Sequence, residues 1–242
     1  MRRRACRNKN KMNRVKEIEE LVKGKNAEDI LKTIAALHNE RIVFSTSLSY
    51  EDQVITHFIF THDLNISVFT LDTGRLFPET YSVLSSTINR YKKPIHVFSP
   101  ATAKVEELVT KKGPFSFYDS VENRKECCFI RKVEPLKRAL NGKTIWITGI
   151  RAEHSEGRND MPMVEWDESN QIIKIHPLLN WSMEDVKKVI NQFNIPYNPL
   201  HDKGFISIGC QPCTRAIKDG ENFRAGRWWW EDNSKKECGL HS

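Results

Sequence analysis

The stretch Arg41-Ile42-Val43-Phe44-Ser45-Thr46-Ser47-Leu48-Ser49-Tyr50-Glu51-Asp52 decides the fold. Its first five residues are a short apolar run of the kind buried in a sheet. Polar residues then break the run, and Glu51-Asp52 open a helix that the sequence carries through Phe60. The same phrase returns downstream. Ile66-Ser67-Val68-Phe69-Thr70 reads as a second strand, running into Leu71-Asp72-Thr73-Gly74-Arg75 and a helix from Pro78 to about Tyr91, with proline in its first turn. Ile95 to Phe98 is a third strand, residues 121–140 are helical, and Thr144 to Thr148 is a fourth strand ending in Gly149-Ile150-Arg151. Ile172 to Ile175 is a fifth, and Ser182 caps a helix to about Phe193. Upstream, residues 14–38 form a helix broken at Gly24-Lys25-Asn26; residues 194–242 read as ordered loop. Strands alternating with helices predict an α/β fold, a mostly parallel sheet with helices on both faces. Ligands of such sheets bind beyond the C-terminal ends of the strands, where the turns after strands one, two and four lie.

Composition narrows the class. The chain has 242 residues, 39% hydrophobic and 29% charged, ordinary values for a globular protein. No apolar run approaches the roughly 18 residues that span a bilayer, and the basic N-terminus lacks the apolar stretch of a secretory signal, so a cytoplasmic location is expected. Eight of the Lys and Arg fall within residues 1–16, so the net charge of +7 leaves about −1 for the rest. Residues 1–16 are therefore expected to be a disordered, solvated leader rather than a nucleic-acid-binding arm. Residues 17–230 are expected to form a single α/β domain and 231–242 a mobile tail.

Six cysteines in such a chain argue for metal or redox chemistry rather than a disulfide framework. Cys6 lies in the leader. Cys127-Cys128 are adjacent, and Cys210 and Cys213 form a C-x-x-C pair; four such thiolates suit zinc or an iron–sulfur cluster. Neighbouring side chains on a helix diverge, so an adjacent pair reaches two irons of a bulky cluster more easily than one zinc. Lys132, four residues after Cys128, shares its helix face. Cys238 is the fifth residue from the C-terminal end, where a thiol can swing in and out of a pocket. The hydroxyls and amides of Ser47 to Asp52 suit a phosphate or sulfate, and serve equally as an ordinary helix cap. Arg151, Arg158, Arg215, Arg224, Arg227 and His241 supply cations; arginine holds phosphate and sulfate oxygens in a fixed fork. The run Trp228-Trp229-Trp230 beside them is expected to pack.

These motifs together resemble the assimilatory sulfonucleotide reductases, in their iron–sulfur branch that acts on adenosine 5′-phosphosulfate (APS). The resemblance runs from about Arg41 to His241. It rests on the Ser-x-x-x-Glu-Asp loop at 47–52, Leu71 to Arg75, Cys127-Cys128 with Arg131-Lys132, Gly209-Cys210-x-x-Cys213-Thr214-Arg215, Arg224 to Trp230, and Lys236-Glu237-Cys238-Gly239-Leu240-His241. It implies a Rossmann-like sheet of the adenine nucleotide α-hydrolase type. Ser47, Asp52, Leu71, Thr73 and Gly149 would hold the nucleotide, and Lys132, Arg158, Arg224, Arg227 and His241 the phosphosulfate. Cys127, Cys128, Cys210 and Cys213 would bind one 4Fe-4S cluster. Cys238 would attack sulfur, and thioredoxin or a glutaredoxin-like reductant would release sulfite, in sulfate assimilation and cysteine biosynthesis. No nucleic acid or membrane is implied, and a homo-oligomer is expected. One departure concerns the pyrophosphate loop, with Ser49 and Tyr50 where many relatives carry Gly and a small residue.

Three other readings compete. A reductase of the 3′-phosphorylated substrate (PAPS), or of both, typically lacks the four cluster cysteines when it is PAPS-only. An ATP pyrophosphatase would carry Ser-Gly-Gly-x-Asp-Ser, which is absent here. A zinc-structured nucleic-acid-binding module leaves the Cys238 motif unexplained.

Overall fold

The computed structural model describes residues 2–154 and 161–231. Six strands form one sheet in the order β3-β2-β1-β4-β6-β5: β1 (Ile42–Ser45), β2 (Ser67–Leu71), β3 (His96–Phe98), β4 (Ile145–Ile147), β5 (Val164–Asp167) and β6 (Ile172–Ile175). The pairs β1–β4, β2–β3 and β4–β6 are parallel, and β5 runs antiparallel to β6. The expected mostly parallel α/β sheet is present. No helix among the described residues is long and apolar enough to cross a membrane.

Two compact units divide the chain, one of residues 1–46, 50–68 and 142–195, the other of 47–49, 69–141 and 196–242. In the first, β1, β4 and β6 are almost wholly buried, including Phe44, Trp146 and Ile175. Strands buried on both faces carry continuous apolar runs rather than alternation. Helix α3 (Tyr50–Thr61) is buried along nearly its whole length, and packs against α8 (Met183–Gln192). The latter begins with a capping box: the Ser182 hydroxyl accepts from the Asp185 amide, and the Asp185 carboxylate accepts from the Ser182 amide.

Helix α1 runs from Arg2 to Val22. Its Arg, Lys and Ala are good helix formers, and no Gly or Pro interrupts them before Gly24. The break at 24–26 is where the sequence puts it, with Asn26 capping α2 (Ala27–Ala35).

In the second unit, α4 (Pro78–Tyr91) starts with proline and ends at Lys92 in the left-handed region. Helices α5 (Thr102–Lys112), α6 (Val121–Cys128) and α7 (Glu134–Leu140) follow, and a π-helical turn, Phe129–Val133, joins the last two. Two elements go beyond the sequence reading. Helix α5 buries only Leu108, too little for a periodic apolar stripe. Strand β5 is a short edge of mixed burial, turned onto β6 through Gln171 at φ 54°.

A candidate thiol-lined site

Helix α6 begins at Ser120, whose hydroxyl accepts from the Asn123 amide, and delivers Cys127 and Cys128 at its C-terminal end. The π-turn that follows adds a residue to the helical turn, a device frequent at functional sites. Arg131 and Lys132 thereby line the same cavity as Cys127 and Cys128. Cys210 and Cys213 reach it from a single turn of 3-10 helix, Gln211–Cys213, in which the Cys213 amide donates to the Cys210 carbonyl at 2.9 Å. Arg75, Phe117 and Arg124 complete the lining.

All four thiols are buried and belong to one apolar cluster with Leu108, Phe117 and Trp228. Among the described residues, no three His, Cys, Asp or Glu are grouped as they would be to hold a single metal ion. The cysteines share the walls of a cavity instead. Their electrostatics are uneven. Burial pushes the Cys213 thiol up to about 12, and the Cys210 and Cys128 sulfurs add to the rise. Burial also raises the Cys127 thiol, against the charges of Arg75 and Arg131. Burial would raise Cys210 too, but Lys132, the Thr73 hydroxyl 3.2 Å away, Arg227 and Arg131 outweigh it and hold that thiol below its ordinary value.

Donors around the thiols are left unspent. Arg75 Nη1, Arg131 Nε, Arg227 Nε and Trp228 Nε1 are buried and meet no hydrogen-bond partner among the described residues, although such groups are nearly always satisfied. Their other contacts fix them in place: Arg131 Nη1 donates to the Thr73 carbonyl at 2.6 Å, and the Arg75 guanidinium lies 4.9 Å from the Phe117 ring centre. Trp228 is a hub, with the guanidiniums of Arg124, Arg227 and Arg224 at 4.6, 4.7 and 5.9 Å from its ring. Its φ of 41° is costly for a bulky side chain, roughly 1–3 kcal/mol. A Cβ on Gly209 would overlap the Arg227 guanidinium, so the glycine leaves that guanidinium its place.

The first unit holds a separate group of polar residues. Gly149 follows β4, and a Cβ on it would overlap the Asp52 carboxylate in the first turn of α3. Arg151 is buried and paired with Glu51 at 2.9 Å. Beneath them Thr148 Oγ1 lies 2.7 Å from His176 Nδ1, and His176 Nε2 lies 3.4 Å from Glu165.

Residues 41–216 match the model of the phosphoadenosine phosphosulfate reductase domain. The adenosine 5′-phosphosulfate reductase of Allochromatium vinosum is 50% identical over 202 residues, 84% of this chain and 79% of that one. The chain belongs to the phosphoadenosine phosphosulfate reductase domain family. A crystal structure of the phosphoadenylyl-sulfate reductase from Candida auris, in a phosphate complex, superposes with a TM-score of 0.72 at 27% identity, covering 84% of this chain and 96% of that one. Yeast FAD synthetase in complex with FAD, at 16% identity and a TM-score of 0.53 over 87% of this chain and 71% of that one, shares the fold alone. The sheet is thus of the adenine nucleotide α-hydrolase type, and the chain is an oxidoreductase of this reductase family.

The reductase fold distributes the expected site residues unevenly. Cys127, Cys128, Cys210, Cys213 and Lys132 meet at the cavity. Arg224 and Arg227 stack beside it on Trp228. Thr73 is buried against Cys210 and Arg131. Leu71 ends β2, and Ser47 donates to Ser49 at 3.2 Å in the loop after β1. In that loop Leu48, rather than Ser49 or Tyr50, takes the left-handed φ of 63°. Arg158, Cys238 and His241 lie outside the described residues. Arg151 and Arg215 are spent on Glu51 and Glu221. Trp228 packs as expected, whereas Trp229 is about half exposed. Sequence reading gave Arg75, Arg124 and Arg131 no role at the thiols. The signal was there for one of them: Arg124 stands three residues before Cys127 on the same α-helix, a spacing that puts both on one face.

Proposed function

We propose that the chain reduces adenosine 5′-phosphosulfate to sulfite and AMP, with Cys238 as nucleophile. The observation that carries this is the cavity: four buried thiols ringed by Lys132, Arg75 and Arg131, with arginine donors left unspent. Burial raises the Cys127 and Cys213 thiols while Lys132, Thr73 and two arginines hold Cys210 below its ordinary value; a cationic iron–sulfur core would bind all four as thiolates and remove that conflict. The spread of the cysteines over the cavity walls favours a 4Fe-4S cluster over one zinc ion. Cys127, Cys128, Cys210 and Cys213 would hold it. When bound it supplies a compact charge that organises the surrounding cations and transfers no electron.

Ser47, Asp52, Leu71, Thr73 and Gly149 hold the nucleotide in this reading, and Lys132, Arg158, Arg224, Arg227 and His241 grip the phosphosulfate. Those cations offset the repulsion between an anionic substrate and an incoming thiolate. The Cys238 thiolate attacks the sulfate sulfur; the sulfur–oxygen bond breaks, and AMP leaves with its electron pair. An S-sulfocysteine results, which splits one difficult displacement into two. One thiolate of thioredoxin or a glutaredoxin-like dithiol then attacks the Cys238 sulfur, and sulfite leaves with the bonding pair. The second thiol of the dithiol resolves the mixed disulfide, so the dithiol is oxidised and Cys238 is regenerated.

The test is mass spectrometry of anaerobically purified protein given substrate without reductant. One sulfonate on Cys238 with APS, absent in Cys238→Ser and released as sulfite by thioredoxin, is the expected result. An adduct with PAPS alone would change the substrate and keep the mechanism. No adduct with either, in protein holding its full iron and sulfide, would overturn the reading.

A further inference from the structure

We propose that the buried Arg124–Glu231 pair, acting through the Trp228 turn, is a positioning device for the nucleophile. It fixes Glu231, the last described residue before Cys238. The proposal rests on the reading of Cys238 given above.

Arg124 is fully buried and Glu231 nearly so. They meet in a two-pronged pair, Nε to Oε1 at 2.9 Å and Nη2 to Oε2 at 2.8 Å. Buried ion pairs seldom repay their desolvation as stability, so specific positioning is the better account of one. This pair closes around a strained turn. Trp228, at φ 41°, donates its amide to the Cys213 carbonyl at 3.1 Å, and the Glu231 amide donates to the Trp228 carbonyl at 2.8 Å. The Arg124 guanidinium lies over the ring of that same tryptophan. A left-handed tryptophan persists only where its surroundings over-determine it, and here three attachments do so.

The location gives the device its purpose. Arg124 stands three residues before Cys127 on α6, so one helix both presents two thiols to the cavity and grips Glu231. Arg224 and Arg227 stack on the ring that the pair holds. Glu231 precedes Cys238 by seven residues, a reach of at most about 25 Å. The pair thus ties three things together: the thiol cavity, the anion-gripping arginines and the root of the nucleophile's segment.

Magnitude separates this from a passive tether. If Glu231 were released and Trp228 became the next anchor, the tether would lengthen from seven to ten residues. Effective concentration falls with about the −3/2 power of length, a loss of less than about twofold. Misplacing the turn and its arginines costs far more, because small misalignments of reacting groups lower rates by orders of magnitude.

The decisive experiment uses the holoenzyme variants Glu231→Gln and Arg124→Lys, the second keeping the charge and losing the fork. Three quantities are measured: the single-turnover rate of Cys238 sulfonation at saturating APS, the dissociation constant of AMP, and iron per chain. Expected are a rate at least tenfold lower in both, AMP binding within twofold and unchanged iron. Glu231→Asp, which keeps the carboxylate, should recover part of the rate. A rate within twofold of the parent, or iron lost in step with the rate, would overturn the proposal. If Glu231→Gln fails to fold, Arg124→Lys decides on the same thresholds. Absence of any sulfonation in the parent protein would instead remove the nucleophile reading on which it stands.

Discussion

The two compact units treat their polar interiors differently, although each closes buried ion pairs, Arg124 on Glu231 among those of the second. In the first, charges are closed on one another: Arg151 on Glu51 at 2.9 Å, Lys174 on Asp167 at 2.8 Å, and His176 between Thr148 and Glu165. In the second, Arg75, Arg131 and Arg227 each keep a buried donor that meets no partner among the described residues, beside four thiols. Satisfied networks rigidify a fold, while unsatisfied buried donors are costly unless something arrives to use them. Among the described residues, the donors left open are therefore those at the thiol cavity, where a bound group would use them. Substitutions should separate the two, showing as stability in the first unit and as loading and activity in the second.

The largest effect is expected at Cys210. Burial would raise its thiol, but Lys132, Thr73 and two arginines hold it below its ordinary value, which prepares it to act as a ligand. Cys210→Ser should lose most of its iron and acid-labile sulfide and all measurable sulfonation of Cys238. Metal analysis and intact-mass spectra after incubation with APS check this. A variant with full iron would show that the cavity does not depend on Cys210 and would break the contrast at its strongest point.

Next in size is Asp167. It is buried with Lys174, whose ammonium also lies 4.9 Å from the Trp146 ring centre. Burial alone would raise the Asp167 carboxyl; hydrogen bonds from Lys174 and Asn170 outweigh it and hold the group below its usual value. A depressed carboxyl contributes stability that is present above its unfolded value near 3.9 and is lost as pH falls through the folded value. Removing one partner of a buried pair costs roughly 3–5 kcal/mol, and Glu165, 3.8 Å from Lys174, should keep Asp167→Asn at the lower end. Urea unfolding at pH 7 should show a loss of about 3 kcal/mol that shrinks below about pH 4, with kcat unchanged in folded protein. A loss that ignored pH would place the effect in packing.

How far the sequence foretold this contrast follows from the same physics. The buried strands and α3 were legible because apolar runs such as Ile42 to Phe44 announce burial directly. Helix α5 was not, since it buries one residue, and β5 was not, since a short edge strand carries little pattern. At the site, the four thiols were legible as paired motifs. The arginines were harder, because arginine types do not reveal which are spent: Arg151 and Arg215 are closed on acids, while Arg75 and Arg131 face the thiols. The helical phase of Arg131 depends on a π-turn that no periodicity announces.

The smallest effect, and the sharpest use of the comparison, is expected at Gly149. This residue belongs to the first unit, yet its role in the proposed reading is to meet the nucleotide, so here function rather than stability should respond. A Cβ at Gly149 would overlap the carboxylate of Asp52, which is nearly buried in the first turn of α3. That position favours anionic groups through the helix N-terminus and leaves the carboxylate little room to turn. In Gly149→Ala either Asp52 rotates or the loop after β4 lifts, and both change the same nucleotide-facing surface. AMP binding should weaken about tenfold, or about 1.4 kcal/mol, with the urea midpoint nearly unmoved. The double variant Gly149→Ala with Asp52→Ser removes the overlap by shortening the partner. If contact between the two is what matters, the double variant binds AMP no worse than Asp52→Ser alone, because neighbouring substitutions that share one contact are not additive. Full additivity would mean that the glycine serves the backbone alone, and the first unit would then have no part of its polar interior given over to ligand.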